Sequence, residues 1–492
     1  MKKIIVILLA VAMILLSFAA CSKTETTDQT TTQQTDAQTN ATEDRPAPPD
    51  GAPSKDPPGE PPEGAPGGTP PEGAPSGNPP SGGPGSSADV TYDGATELTT
   101  ATTETGKTYT SSEADQSALL IATNETVTIE DATVTKTGDS DGGDNCNFYG
   151  QNAAVLVKDG TTTTITGGTI TSDADGANGV FCYGGNGGQN GKDGDGTTLI
   201  IQETTITTTG DGAGGIMTTG GGITEAKNLT VTTSGRSSAP IRTDRGGGTV
   251  TVDGGTYTSN GLGSPAIYST AEITLSNATL VSNLSEGVCI EGLNSVTLND
   301  CDLTASNTER NSNAQFLDSI MLYQSMSGDA ASGTATFTMN GGSLTGNSGH
   351  VFHVTNTSAV ITLSGVEITN TDSENVLLSV CDDGWSGGSN TATLNASGQT
   401  LEGTILVGSN STLTLNLSGG STFKGSVNGS ITNSKGDTVS TEVGTVNVTL
   451  DDTSTWTLTG DTYITSFSGN TANVNSNGYT LYVNGTALTG TK

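Results

Sequence analysis

A nine-residue pattern of apolar and polar positions repeats along the chain. It reads Val250-Thr-Val-Asp-Gly-Gly-Thr-Tyr257-Thr258, then Ile273-Thr-Leu-Ser-Asn-Ala-Thr-Leu280-Val281, then Val296-Thr-Leu-Asn-Asp-Cys-Asp-Leu303-Thr304. Further copies occupy 127–135, 163–171, 199–207, 337–345 and 361–369. Positions one, three and eight are mostly aliphatic or aromatic, and positions two and nine are mostly Thr. Positions four to six are small or polar, often with Gly. Apolar residues two apart share one face of a strand, while the residue between them faces the other way. The small polar segment is a turn, and position eight lies on the next short strand.

The spacing of the copies sets the architecture. Tyr257, Leu280 and Leu303 follow one another at 23 residues, and Leu344 and Ile368 at 24. Val134, Ile170 and Ile206 are 36 apart. Short strands at such a period, without a helical pattern, predict a stacked repeat in which each unit is one coil of a parallel β-helix. The 36-residue units are the same coil with an inserted loop. The regular coils are expected from about Ser117 to Asn370. The pattern loosens from Asn375, as in Leu413-Thr-Leu-Asn-Leu417. Segment 89–116 is expected to cap the first coil, and the aromatic Trp456, Tyr463, Tyr479 and Tyr482 to cap the last, covering an otherwise open sheet edge.

The N-terminus is organised differently. A charged start, Met1-Lys2-Lys3, leads into an apolar run from Ile4 to Phe18, followed by Ala19-Ala20-Cys21. This is a secretory signal, too short for a comfortable membrane span. Small residues before Cys21 resemble a bacterial lipoprotein processing site, although Phe18 stands where Leu is usual. The resemblance implies that residues 1–21 are the signal and that Cys21 is lipidated, anchoring the chain to the outer face of a membrane. Residues 22–88 are Thr- and Gln-rich, then Pro- and Gly-rich, and cannot bury a core. At about 3.1 Å per residue for an extended Pro-rich chain, such a tether reaches on the order of 150 Å. Residues 89–492 are expected to form one β-helix domain.

Composition limits the partners. The formal net charge is −34, from 51 acidic and 17 basic residues. Nucleic acid, whose phosphates need a basic surface, is excluded on that ground. The acids raise the question of cations. Asp139, Asp175 and Asp211 each stand five residues past position eight in three successive coils. Stacked about 4.8 Å apart, three carboxylates repel unless a cation sits among them, and calcium takes oxygen ligands of this kind. The ladder is therefore a calcium candidate, the alternative being three solvated turn residues.

A second candidate lies on the strand that follows. Its aliphatic lead residues are Val180, Ile216, Ile241, Ile267 and Ile290, and the residues after them are Phe181, Met217, Arg242, Tyr268 and Glu291. This column is expected to face outward. Aromatic faces stack on sugar rings, and Arg and Glu hydrogen-bond hydroxyls and carboxylates. Phe181, Arg242, Tyr268 and Glu291 are thus the candidate ligand-binding set, with local charge pairing as the alternative. Arg236, Arg242 and Arg245 fall within one coil, with Asp244 among them. The Thr columns are ordinary outward strand residues.

Cys146 and Cys182 each stand 12 residues past position eight of adjacent 36-residue coils, a register that would bring them within disulfide range. Buried thiols are the alternative. His350 and His353 alternate on one strand and are expected at the surface. The sequence offers no zinc spacing, phosphate loop, Gly-x-Ser-x-Gly phrase or Ser/His/Asp set.

With "VTVDGGTYTS", "ITLSNATL", "VTLNDCDL" and the 23-residue period in view, the chain resembles right-handed parallel β-helix proteins of the pectate-lyase-like superfamily. With its signal and tether it is most similar to surface lipoproteins of Firmicutes that carry a carbohydrate-binding or adhesin-like β-helix. The resemblance implies a right-handed coil stack and a surface-anchored, non-catalytic polysaccharide binder, calcium-dependent and directed at acidic glycans such as polyuronates. Enzymes of that superfamily cleave acidic polysaccharides by β-elimination. On that alternative Asp139, Asp175 and Asp211 hold calcium and Arg242 is the base. A structural stalk or protein-binding adhesin is the third reading. The binder leads because no acid/base pair for general acid–base catalysis is evident.

Overall fold

A computed structural model describes residues 90–140, 143–186, 193–311 and 313–492. The signal, Cys21 and the tether lie outside the described residues. From Glu97 onward the chain winds through three parallel sheets, placing one strand in each per coil. The first sheet has 13 strands, from Glu97–Leu98 to Val427–Asn428. The second has 14, from Thr102–Thr105 to Ser466–Ser468. The third has 10, from Thr108–Ser111 to Glu367–Asn370. The chain is an all-β parallel β-helix, as the periodicity predicts.

The repeat maps onto the coil residue by residue. Positions one and three lie on the second sheet and position eight on the third, all pointing inward. Val250, Val252 and Tyr257 are buried, as are Ile273, Leu275 and Leu280. One continuous core runs from Tyr109 to Leu481. The strands Gly222–Lys227 and Thr230–Thr233 form a coil that the periodicity missed. Its position one is Thr224, a polar residue made tolerable inside by a hydroxyl contact of 2.7 Å with Thr218. A buried hydroxyl with a partner carries little penalty, so the column accepts Thr without announcing itself as apolar.

Position five turns the corner between the second and third sheets, and there the backbone is left-handed. The residues are Asp131, Gly167, Glu203, Asn228, Gly254, Asn277, Asp300, Gly341 and Gly365, with φ between 48° and 72°. Gly, Asn and Asp tolerate this region, which explains the small polar centre of the repeat. Position six then passes close beneath the preceding coil. A Cβ at Gly168 would lie 2.2 Å from the Ala132 carbonyl oxygen. Past Asn370 the third sheet is interrupted, because the Gln399 side chain occupies a rung of the ladder. Its amide accepts the Val366 N–H at 2.8 Å and donates to the Val366 carbonyl at 2.7 Å. Strands Thr400–Glu402, Thr422–Lys424, Thr455–Thr457 and Val474–Asn475 continue beyond this break as a separate four-stranded sheet.

The aromatic end differs from expectation. Trp456 is buried and stacks on Phe423 inside the coil at 5.5 Å. Tyr463 and Tyr482 instead stack on each other at 5.0 Å, and Tyr463 and Tyr479 are exposed. Only Trp456 fills the last coils. Tyr463 and Tyr482 stand outside because their strand positions alternate away from the core, and Tyr479 lies in the turn between strands.

Glu203 is the one corner residue that is neither Gly, Asn nor Asp. Glu203→Asn is expected to stabilise the coil by up to about 1 kcal/mol, by relieving left-handed strain. A thermal melt no higher than that of the wild type would show that the contact from Asn228 to Glu203, at 2.7 Å, already offsets the strain.

Candidate functional site

The outward residues of the first sheet form a column in register. It runs Leu120, Leu156, Phe181, Met217, Arg242, Tyr268, Cys289, Met321, His353, Ser379 and Leu406. Two corrections follow. Tyr268 pairs with Cys289, because Val288 rather than Ile290 is the equivalent lead residue; Glu291 pairs with Tyr323. The column is also largely covered. At its start, the inserted loop of the first 36-residue coil folds into a short helix, Asp144–Tyr149. Its Phe148 and Tyr149 pack on Leu120, Leu156, Phe181 and Met217. Phe181 and Met217 are fully buried, and a Phe181 ring in that position has no face to offer a sugar. Toward the other end, Phe316 lies 5.3 Å from the His350 ring and 4.9 Å from the His353 ring, packing with Cys381 and Ile431.

Between these two roofs the column runs through Arg242, Tyr268, Cys289 and Met321, of which Tyr268 is half-buried and the others are buried. Tyr268 donates its hydroxyl to Glu291 Oε2 at 2.6 Å, and Tyr323 donates to the same oxygen at 3.2 Å. The Ser325 hydroxyl reaches Glu291 Oε1. Burial pushes the Glu291 carboxyl up, against these three hydrogen bonds that favour its charged form. Burial likewise raises Tyr268 and Tyr323 well above the ordinary phenol range, so both remain donors. Trp385 stands over Tyr323 with ring centroids 5.3 Å apart, and both side chains are half-buried. Of the expected binding set, the structure brings Arg242, Tyr268 and Glu291 to this stretch and leaves Phe181 under the helix. Tyr323 and Trp385 escaped sequence reading because they lie outside the nine-residue pattern. Tyr323 could have been found by registering Ile320 and Leu322 with Val288 and Ile290.

The three arginines separate. Arg242 donates to Asp244 Oδ2 at 2.9 Å and to the Ser237 carbonyl at 3.0 Å. Burial pushes the Asp244 carboxyl up to about 7, against the pull of Arg242. Arg245 pairs with Asp329 at 2.8 Å, its guanidinium 4.2 Å from the centre of the Phe148 ring. Arg236 reaches Asn311 at 2.8 Å.

Asp139, Asp175 and Asp211 stack as expected and use their carboxylates within the coil ladder. The Asp175 N–H donates to Asp139 Oδ1 at 2.9 Å and the Asp211 N–H to Asp175 Oδ1 at 2.8 Å. The Arg236 N–H donates to Asp211 Oδ1 at 2.7 Å. Each carboxylate thus ties its turn to the next. Among the described residues no group of three His, Cys, Asp or Glu side chains has a metal-holding arrangement.

No disulfide joins Cys146 to Cys182. The inserted helix carries Cys146 outside the sheet, where Sγ lies 3.1 Å from Ser140 Oγ. Cys182 faces the core. Equal spacing from position eight does not survive when the intervening loop folds separately.

The histidines are buried rather than superficial. His350 and His353 each place Nδ1 2.7 Å from Ser379 Oγ, and His353 Nε2 lies 3.2 Å from Asp383 Oδ2. This is a Ser/His/Asp set that the sequence did not reveal, since its members come from separate coils. Ser379, His353 and Asp383 all have zero exposure, so the set offers a substrate no approach. Burial lowers His350 to about 3, with His353 adding to the shift. Nearby Asp318 is buried with neither carboxyl oxygen hydrogen-bonded. Burial, then Glu286 and Asp383, raise its carboxyl well above the usual range.

Comparison with protein-family models, curated proteins and solved structures finds no match. The chain is placed by its architecture: a repeat protein of the parallel β-helix class. Among the described residues no helix is long and apolar enough to cross a membrane.

Two outcomes test these assignments. A folded-state pKa above the unfolded value means that Asp318 stabilises the fold when protonated, fully below the unfolded pKa. That contribution is lost as pH rises through the folded value. Asp318→Asn should therefore raise the melting temperature at neutral and alkaline pH while changing little in acid. A uniform drop at all pH values would contradict this. In the ladder, Asp175→Asn keeps an oxygen for the Asp211 N–H, whereas Asp175→Ala removes it at a cost of about 1 kcal/mol. Equal destabilisation by both, read from denaturant melts, would mean that the charge rather than the acceptor matters.

Proposed function

We propose that this protein is a surface-tethered, non-catalytic glycan-binding β-helix. The observation that supports it is a partly exposed aromatic cluster on the outer side of the first sheet, between the two covered stretches. Half-buried Tyr268, Tyr323 and Trp385 stand there beside a fixed carboxylate and a fixed guanidinium. Aromatic rings at a partly wet surface stack on the apolar faces of sugars, while positioned polar groups take the hydroxyls. Residues held by backbone ladders lose little freedom on binding, which favours recognition by a stiff scaffold. The signal, Cys21 and the tether belong to the same reading: a lipid anchor at the outer face of the membrane and a spacer that presents the coil beyond it.

A lyase reading has less support. It assigns Arg242 as base, yet the guanidinium is paired with Asp244 and scarcely exposed. A guanidinium engaged by Asp244 and the Ser237 carbonyl is not placed to take a substrate proton. Calcium remains part of the proposal at the Asp139–Asp175–Asp211 ladder, on carboxylate oxygens not engaged by the backbone. Bound there, it would stabilise the fold by linkage, and through it a polyuronate carboxylate would be held.

Trp385→Ala is expected to weaken retention on a glycan array about tenfold or more, a base-case value for losing one stacked aromatic ring. Its melting temperature should stay near that of the wild type, because Trp385 sits on a surface loop. Unchanged retention of every glycan bound by the wild type would remove the site from the proposal.

A further inference from the structure

Where the first sheet hands the chain to the second, the loops expose apolar side chains. Met326 is 59% exposed, three residues past strand Asp318–Tyr323, and Leu293 is 54% exposed, two residues past strand Val288–Glu291. Trp385 is tilted 59° to the Tyr323 ring, and its neighbour Ser386 places Oγ 3.8 Å from Met326 Sδ. Half-buried Tyr323 and Trp385 thus share one surface with exposed Met326. Apolar groups gathered in this way mark a contact site.

The chain enters the coil on the same face. Val90 and Tyr92 pack on the cluster of Leu120, Leu156 and Phe181, and Lys158 Nζ lies 4.6 Å from the centre of the Tyr92 ring. In the first sheet, strand Val155–Lys158 is six rungs from Asp318–Tyr323. That is about 29 Å at about 4.8 Å per rung. Pro80 stands ten residues before Val90. An extended Pro-rich chain covers about 31 Å in that length. Residues 73–88 contain Pro75, Pro79, Pro80 and Pro84 and no charged side chain, whereas Glu60, Glu63 and Glu72 come before them. A chain with net charge −34, and with Asp382 exposed beside Trp385, repels the acidic part of the tether and admits the uncharged part.

We infer that residues 73–88 dock on the Tyr323–Trp385–Met326 surface and cover it until a glycan displaces them. The inference goes beyond the glycan-binding reading, since it gives the same rings a second, internal occupant. Proline rings stack on aromatic faces, and a Pro-rich strand is already extended before it binds, so little freedom is lost. Its carbonyls are unpaired, and the indole N–H of a half-wet tryptophan takes such an acceptor. The contact is weak between separate molecules, but a short connection raises the effective concentration to the millimolar range. Residues 22–72 remain as the spacer.

Tryptophan fluorescence reads the contact directly. The chain has two tryptophans, and Trp456 has no exposure, so acrylamide quenching reports on Trp385. The experiment compares residues 22–492 with the same chain carrying Pro75→Ala, Pro79→Ala, Pro80→Ala and Pro84→Ala together, substitutions that leave the coil untouched. The quenching constant should rise about twofold or more in the variant, as for a surface passing from mostly covered to open. A synthetic peptide of residues 73–88, in millimolar excess, should restore protection to the variant. Equal quenching of the two chains, or a peptide that protects nothing, overturns the inference. The glycan reading is scored separately on an array. More glycan retained by the variant supports both readings. A newly exposed Trp385 with a blank array keeps the docking and removes the glycan reading, and unchanged quenching with glycan retained does the reverse.

Discussion

Each coil turns on one left-handed residue. Where the second sheet meets the third, the chain must bend sharply enough for position eight to point at the same core as positions one and three. The backbone does this by placing position five at positive φ in coil after coil, from Asp131 to Gly365. Because the corner is identical each time, strands stack in parallel register and their inward side chains fall into columns. A single coil cannot bury its apolar face; the column can, which is why stability accumulates by neighbour contacts.

Regularity at the corner permits irregularity elsewhere. The turns that leave the third sheet and enter the first vary in length, and the excess chain folds back over the outer face of the first sheet. The Asp144–Tyr149 helix and the segment around Phe316 are such folds. Each buries apolar outward residues that would otherwise be exposed. The interval between them holds half-buried Tyr268 and Tyr323, both hydrogen-bonded to buried Glu291, alongside buried Cys289 and Met321.

Burial sets the electrostatics. Asp244 is raised despite its arginine, and Asp318 rises with no compensating hydrogen bond. The ladder of Asp139, Asp175 and Asp211 is different: each carboxylate accepts a backbone N–H of the next coil and so serves as part of the stack. An acid-rich chain thus employs carboxylates in three ways, as coil ties, as partners of scarce arginines and, at Glu291, as a buried acceptor of tyrosine and serine hydroxyls.

The sequence by itself determined the coil. Apolar positions two apart, a small polar centre and a constant period leave few alternatives to stacked parallel strands, because strand periodicity and left-handed corners are local properties. It also placed Arg242, Tyr268 and the Asp ladder on the turns and strands where they are found. It could not show which outward residues stay accessible, since Phe181 and Tyr268 occupy the same column and differ only in what lies above them. Nor could it show the meeting of Ser379, His353 and Asp383, or the failure of Cys146 to reach Cys182. Those outcomes depend on where inserted segments pack, and packing is a contact between parts of the chain whose separation carries no periodic signal.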